Sequence, residues 1–456
     1  MAAKSGQPTV SHPGASGTIW RGLGRLSPAV FVAAQRQIIL ALLNTVYALQ
    51  SGGFRPLVAL VDPVASGHHS MYAQGYLEAI SKSGCEVMML APPRLLKTLT
   101  VPIGLEQRAT LVPWAALDDD KLFGDAQTHA EQLWESLGTT LSAAAASAPG
   151  RYPDLIVLLY LDAFITELLP ASVIRGHVAC PVAGLWFKPP RSGRLRWRER
   201  FRRLTRLGRR YRLFQSPLFY ALLLLDPEAA RAVPGHHRMR IIGTPEFTDT
   251  ALPQVAPPIL ETIRQSARGR RIYCLVGSID RRKGVRGFLK AVAAASPMEW
   301  FFVIAGRVAW HSFDDETRDV LRKATSNDRD RVLLIDEWLP AGTLNAIIQA
   351  SDLLHACYED WPYSSNMLCK AAVCGTPAVG TTDGYIGRNL KRYDLGFLVP
   401  RAQKLEALFV SGFGTVVAAH RRSDAFAAGC RGYLAANDND ALFTVIKSLI
   451  RELPER

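Results

Sequence analysis

The sequence predicts an α/β chain of two doubly wound, parallel-sheet domains. Three observations carry that expectation. At 456 residues the chain is about three times the ~150 residues of a typical domain. Short, nearly continuous apolar runs alternate with stretches of helical periodicity, which is what a parallel sheet covered on both faces requires. A proline-rich stretch poor in registered apolar residues separates one set of runs from the other.

The first 52 residues read as an N-terminal extension, because no acidic residue precedes Asp62 and Lys4, Arg21 and Arg25 lead into the apolar run Ala29 to Leu49. That run has the length of a membrane span, about 20 residues, but Gln35, Arg36 and Gln37 interrupt it. Phe31, Ile38, Leu42, Val46 and Leu49 recur at helical spacing, which favours an amphipathic helix on the protein or at a membrane surface. A span and a processed targeting segment stay open. A secretory signal is disfavoured, since no small-residue cleavage site follows at the usual spacing.

Residues 53–245 form the expected first domain, with strands at 57–62, 85–91, 155–161, 178–187 and 219–226. The opening strand runs into VDPVASGHH, and a helix follows from about Ser70 with Tyr72, Tyr76, Leu77 and Ile80 on its packed side. In an open α/β sheet such a loop faces the ligand crevice, which puts Gly67, His68 and His69 there. Two readings of the histidines stay open: solvation or capping, and a hydrogen-bond partner or general base for an acceptor hydroxyl. Asp162 follows a later strand end and is either a turn residue or a second crevice group. Residues 246–270 read as a linker, 271–423 as the second domain, with strands at 271–277, 300–306, 332–336, 353–357 and 377–380, and 424–456 as a helical region expected to cross back.

Composition narrows the function classes. Hydrophobic residues make up 48% of the chain and charged residues 21%, which excludes a disordered chain, a collagen-like fibre and a multispanning membrane protein. The seven cysteines form no CxxC pair and lie in apolar runs, the pattern of buried thiols in a reducing, cytoplasmic compartment without structural zinc. Asp118 to Asp120 form an acidic run in a polar segment, and no DxD pair stands at a strand end, so no metal site is expected. Net charge is +14, of which +11 falls between Lys188 and Arg212. There Trp197, Phe201, Leu204, Leu207, Tyr211 and Phe214 form one apolar stripe among arginines that include Arg202, Arg203, Arg209 and Arg210. Three readings compete: a stripe packed on the domain, a helix on an anionic membrane surface, and nucleic-acid binding. The membrane surface is preferred; nucleic acid is disfavoured because no nucleic-acid-binding motif accompanies the charge.

The strongest local signal is YCLVGSIDRRKGVRGFLKAVAAA: a strand, a turn with Gly277 and Ser278, then Arg281, Arg282 and Lys283 before Gly284 and a helix. Cations and unpaired backbone N–H groups at a strand-to-helix turn suit a diphosphate. Downstream follow FFVIAGR, VLLIDEWLP, SDLLHACYEDWPYSSNMLCKAAVCGTPAVG and LGFLVP. This order over 271–400 resembles the C-terminal domain of the retaining GT-B glycosyltransferases. The resemblance implies two Rossmann-like domains facing a cleft, and a metal-independent transfer of a sugar, without a cofactor, from a nucleotide sugar to an acceptor with retention of configuration. It implies that Lys283 and Gly284 contact the donor diphosphate, that Glu337, Trp338 and Leu339 hold the base, and that the helix from Ser364 to Cys374 faces the ribose. Ser364 and Ser365, followed by Asn366, are expected to cap that helix.

Two departures accompany the resemblance. Ser278 stands where an arginine often follows the leading glycine. Pro362 and Lys370 stand where the family carries paired carboxylates, so either Glu359 reaches the sugar, or Lys370 contacts a phosphate, or donor use differs. Lys370 also leaves open a silent relative serving as a membrane-associated assembly component; a nucleotide-sugar epimerase is a third reading. His69 and Asp162 are the candidates for orienting the acceptor. The arginine segment lies where such enzymes handle the acceptor, which points to a lipid-linked or polysaccharide acceptor and to a cytoplasmic protein peripheral to the membrane.

Overall fold

The computed structural model describes residues 55–65, 69–104, 106–114, 126–147, 151–165, 169–189, 214, 216–226, 228, 239–328 and 330–453. The N-terminal apolar run, Gly67, His68, and the arginine-segment residues Trp197, Phe201, Arg202, Arg203, Arg209 and Arg210 lie outside the described residues. Among those described, no helix is long and apolar enough to cross a membrane.

Two all-parallel sheets organise the chain. The first has seven strands in the order β3-β2-β1-β4-β5-β6-β7. They are β1 (Leu57–Val61), β2 (Glu86–Ala91), β3 (Ala109–Pro113), β4 (Leu155–Leu158), β5 (Val182–Trp186), β6 (Phe219–Leu224) and β7 (Arg240–Gly243). The second has six, in the order β10-β9-β8-β11-β12-β13: β8 (Arg271–Val276), β9 (Trp300–Ala305), β10 (Val332–Ile335), β11 (Leu353–Ala356), β12 (Ala378–Thr381) and β13 (Gly396–Val399). In each sheet the direction of winding reverses beside the first strand, between β1 and β4 and between β8 and β11. That reversal opens a crevice beyond the carboxyl ends of the strands. The class is therefore α/β with two Rossmann-like domains, as the apolar runs predict.

Central strands are apolar on both faces because helices cover both. In the first domain, α1 (His69–Lys82) buries Tyr72, Tyr76, Leu77 and Ile80 against one face. On the other, α2 (Ala126–Ser147) supplies Leu133, Trp134, Leu137 and Leu141. The second domain is covered on one side by α4 (Val285–Ala294), and on the other by α3 (Ile259–Ala267), α6 (Ala341–Ala350), α7 (Met367–Cys374) and α10 (Asp424–Ala436). Three further helices are α5 (Asp315–Asn327), α8 (Gly384–Arg392) and α9 (Phe413–Arg421).

The strands absent from the sequence reading are β3, β7 and β13. All three lie at sheet edges and are mostly half-buried, so they lack the continuous apolar run that marks a central strand. The expected strand at 178–187 begins only at Val182, because 171–177 forms a short helix that ends at Val178. The stretch 246–270 is not bare linker. Its α3 buries Leu260, Ile263 and Ala267 in the second core, and Glu246, Phe247 and Thr248 are themselves buried.

After α10 the chain returns to the first domain as α11 (Asn439–Arg451), whose Leu442, Ile446 and Leu449 share one cluster with Tyr72 and Tyr76. Arg240 on β7 donates to the Ser448 carbonyl at 3.0 Å, which ties the last turn of the helix to the sheet edge. Arg388 on α8 also pairs with Asp226 at the end of β6 and, at 3.2 Å, with Glu228.

Candidate functional site

Loops at the carboxyl ends of both sheets meet in a cleft of about 610 Å³. From the first domain, His69, Tyr72, Tyr160, Phe187 and Lys188 line it. From the second come Gly277, Ser278, Arg282, Lys283, Tyr358 and Ser364 to Met367. A second cavity of about 710 Å³ opens beside it, between the β9 and β10 loops, and is lined by Gly306, Val308, Trp310 and His311. The two share Gly277, Ser278, Trp338, Leu339 and Leu344.

The turn after β8 aims a cation at the junction of these spaces. Asp280 accepts from the Arg282 amide at 2.9 Å and starts the tight turn Arg281–Lys283. Gly284 follows at φ 64°, in the left-handed region, and a Cβ there would lie 2.2 Å from the Cys357 carbonyl oxygen, so glycine is required on both counts. The turn carries Lys283 inward. Its Nζ donates to the Val276 carbonyl at 3.1 Å and the Tyr358 hydroxyl at 2.7 Å. Tyr358 in turn shares a 2.7 Å hydrogen bond with Ser365 Oγ. Both partners of the buried ammonium are neutral, so its charge has an unmet claim on an anion.

Behind the turn, the His355 Nε2–H donates to the Lys283 carbonyl at 2.8 Å, and Nδ1 accepts from the Tyr273 hydroxyl at 2.6 Å. The carbonyl can only accept, which assigns the tautomer. Burial drives the His355 pKa down to about 3, so this residue is a neutral brace for the turn. Arg282 is more committed than Lys283: Asp280 holds its Nε at 3.1 Å and its Nη2 at 2.5 Å, and the guanidinium stacks 4.5 Å from the centre of the Trp361 ring.

Several expected donor residues take other places. The α7 helix begins at Met367 with Asn366 in the capping position; the Asn366 side chain makes no capping hydrogen bond, and Ser365 Oγ accepts from the Met367 amide at 3.5 Å. Ser364 and Ser365 precede the cap instead and face the cleft, where Ser365 meets Tyr358. Lys370 lines the cleft, but its Nζ donates to the Asp249 carbonyl at 2.8 Å and to Asn345 Oδ1 at 2.7 Å. With Asn345, which donates to the carbonyls of Asp249 and Ala251 at 3.0 and 2.8 Å, it clamps the interdomain segment onto α6 and α7. Burial accordingly lowers its pKa. Glu359 lines neither cavity; its carboxyl sits among Arg281, Arg286 and Gln403 with a pKa raised first by burial. Glu337 also lies outside both linings, whereas Trp338 and Leu339 belong to both.

On the facing wall, Asp62 at the end of β1 is fully buried. Its two carboxyl oxygens both lie 3.0 Å from His69 Nδ1. An ionised carboxylate only accepts, so Nδ1–H donates and Nε2 is the basic nitrogen. The His69 ring packs edge-on to Tyr160, with centroids 5.2 Å apart. Asp162 stands behind this wall: it accepts from the amides of Phe187 at 2.9 Å and Lys188 at 3.2 Å, and burial pushes its pKa up to about 6. It positions the loop that leads into the arginine segment and does not itself line the cleft. Lys188 reaches across to Trp361, 5.9 Å from its ring centre, and Phe214, the far end of the predicted stripe, is buried against Trp186 and Phe219.

Sequence reasoning missed Asp62, Tyr358 and Glu246. Asp62 had a legible signal, a carboxylate at a strand end seven residues before a crevice histidine. Glu246 had none, since it is one of two acids in a proline-rich stretch without a motif around it. Among the described residues, no group of three or more His, Cys, Asp or Glu is placed to hold a metal ion, and all seven cysteines are buried and free.

This arrangement of two Rossmann-like domains around a cationic cleft defines the GT-B class of fold. No family model and no curated protein matches the sequence. Solved structures do match. Sucrose-phosphate synthase from Thermosynechococcus elongatus aligns with a TM-score of 0.61 at 18% identity, over 88% of this chain and 99% of that one. Anabaena HepE in complex with UDP and glucose aligns with a TM-score of 0.59 at 13% identity, over 88% of this chain and all of that one. WaaG, a glycosyltransferase involved in lipopolysaccharide biosynthesis, aligns with a TM-score of 0.51 at 13% identity, over 88% and 100% of the two chains. The fold of this chain is the one these glycosyltransferases share.

Proposed function

We propose that this protein is a metal-independent glycosyltransferase that moves a sugar from a nucleoside-diphosphate sugar to an acceptor hydroxyl, with retention of configuration. One observation carries the reading: a buried ammonium, Lys283, with two neutral partners, at the junction of two cavities in a GT-B cleft. A diphosphate bridging that junction would place its nucleoside in the cavity of Trp310 and Trp338 and its sugar in the interdomain cleft. Lys283 and the free face of Arg282 would then stabilise the charge that develops on the leaving diphosphate. His69, oriented by Asp62, would receive the acceptor hydroxyl from the opposite wall.

A lipid-linked or glycan acceptor, handled at an anionic membrane surface on the cytoplasmic side, is supported by the charge of the arginine segment and by its root. Lys188 stands at the cleft and is held there through its amide by Asp162. The test is release of nucleoside diphosphate from a panel of nucleotide sugars with added lipid-linked acceptors, and NMR of the product anomer. Activity with some donor that disappears in Lys283→Ala supports the reading. Silence across the panel with intact folding favours an assembly component, product formed without acceptor favours an epimerase, and an inverted anomer refutes retention. Charge reversal of Arg202, Arg203, Arg209 and Arg210 that leaves sedimentation with anionic vesicles unchanged would refute the membrane assignment.

A further inference from the structure

Glu246 is a carboxyl group in an unusual position. It lies on the segment that crosses between domains, is 2% exposed, and lines the interdomain cleft. Its backbone is anchored on both sides: its amide donates to Asn437 Oδ1 at 2.8 Å, and the next amide, of Phe247, donates to the Tyr72 hydroxyl at 3.2 Å. The carboxyl accepts from Tyr433 Oη at 3.0 Å and from the Ser364 hydroxyl. Ionisable groups that face it are Tyr72 on α1, Cys369 on α7, Tyr385 on α8 and Tyr433 on α10. Burial raises the pKa of each of the four, so the immediate environment is hydroxyl-rich and without formal charge. Burying a carboxylate with no cation beside it is costly, and groups kept under such strain concentrate at functional sites.

Its place relative to the cation decides what it would meet. Ser364 and Ser365 are consecutive, one bonded to Glu246, the other to Tyr358 and through it to Lys283. A single hydrogen-bonded wall therefore runs from the cationic end of the cleft to the carboxyl. Glu246 lines the cavity that contains His69 and is absent from the cavity of Trp310 and His311. A ligand whose diphosphate sits at Gly277 and Lys283, with its nucleoside in the latter cavity, presents its sugar to Glu246.

We propose that Glu246 is a specificity-determining residue that accepts hydrogen bonds from the hydroxyls of the donor sugar, supplied from the interdomain segment where Pro362 and Lys370 on the α7 side offer no carboxylate. The proposal rests on the nucleotide-sugar reading above. With the acid ionised, two or more sugar hydroxyls find an acceptor; with it protonated, acceptor capacity falls. Burial raises the Glu246 pKa to about 7, which puts that change in an accessible range, whereas the diphosphate diester of a nucleotide sugar does not titrate there.

The experiment is calorimetry on the full chain with UDP, GDP and ADP and with their glucose and mannose conjugates, for wild type, Glu246→Gln and Glu246→Ala, with circular dichroism to verify folding. A charge-assisted hydrogen bond lost to an amide gives about tenfold or more. The expected result is that loss on the nucleotide sugar, with the affinity for the matching nucleoside diphosphate unchanged in Glu246→Gln. Wild-type affinity for the nucleotide sugar should also weaken as pH falls through about 7, and Glu246→Gln should flatten that dependence. Equal losses on both ligands, or no loss on either, overturn the proposal while leaving nucleotide-sugar binding standing. Failure of wild type to bind any of the probes overturns the nucleotide-sugar reading, and this proposal with it.

Discussion

The two walls of the cleft handle charge in opposite ways. On the second-domain wall, Lys283 is buried against a carbonyl and a phenol, so its charge is left for a ligand. On the first-domain wall, the Asp62 carboxyl three ångströms away holds His69 in one tautomer, so what faces the cleft is an oriented, polarised imidazole. A wall with an unmatched cation suits binding of an anion; a wall with an oriented imidazole backed by a carboxylate suits proton handling and orientation of a neutral hydroxyl.

Substitutions on the two walls should therefore separate rate from affinity. The largest expected effect is on the first wall: His69→Ala, or Asp62→Asn through loss of orientation, should lower turnover by about 10²-fold or more while leaving nucleoside-diphosphate affinity within twofold of wild type by calorimetry. Matching losses in both quantities would dissolve the contrast. On the second wall, Lys283→Ala should weaken nucleoside-diphosphate binding by roughly 10- to 100-fold, with Tyr358→Phe giving a smaller loss in the same assay because it only positions the ammonium.

A third prediction sharpens the comparison at the boundary between the walls. Glu246 has a folded pKa of about 7 against an ordinary 4.5. Because that pKa is raised, the folded state holds its proton more tightly than the unfolded chain does. The resulting stability is present below about pH 4.5 and is lost as pH rises through about 7. Glu246→Gln should thus raise the thermal midpoint at pH 8, by a free energy on the order of 3 kcal/mol, and the gain should vanish toward pH 5. A midpoint that is lower in the amide at every pH would show that ionised Glu246 is stabilising. The smallest effect is expected where the domains touch away from the cleft. Arg388→Ala removes a partly exposed pair with Asp226 and should change stability by less than about 1 kcal/mol in denaturant titration.

How much of this was legible depends on where the information lies along the chain. The cationic turn is local: Gly277, Lys283 and Gly284 fall within eight residues, and their strand-turn-helix setting is enough to place a cation at a crevice. His69 was placed correctly at the crevice for the same reason. The reading of Lys370 as a phosphate contact and of Glu359 as a sugar contact had no such support, because which way those side chains point depends on partners 121 residues away, at the Asp249 carbonyl, or on the other side of the turn, at Gln403. The serines sit one and two residues before the capping position for a related reason: Ser365 is drawn to Tyr358 at 2.7 Å and meets the first helical amide only at 3.5 Å.

By itself, the sequence determined the alternation of strands and helices, the two central sheets and the cationic turn, since all three follow from near-neighbour patterns of apolarity, glycine and charge. Only the tertiary structure decided that Asp62 meets His69 in a buried pair, that Lys370 is a clamp, and that Glu246, in a proline-rich stretch, stands in the cleft. Those are outcomes of packing between segments far apart in the chain, where burial and hydrogen-bond matching, rather than local preference, set the position and the charge of each group.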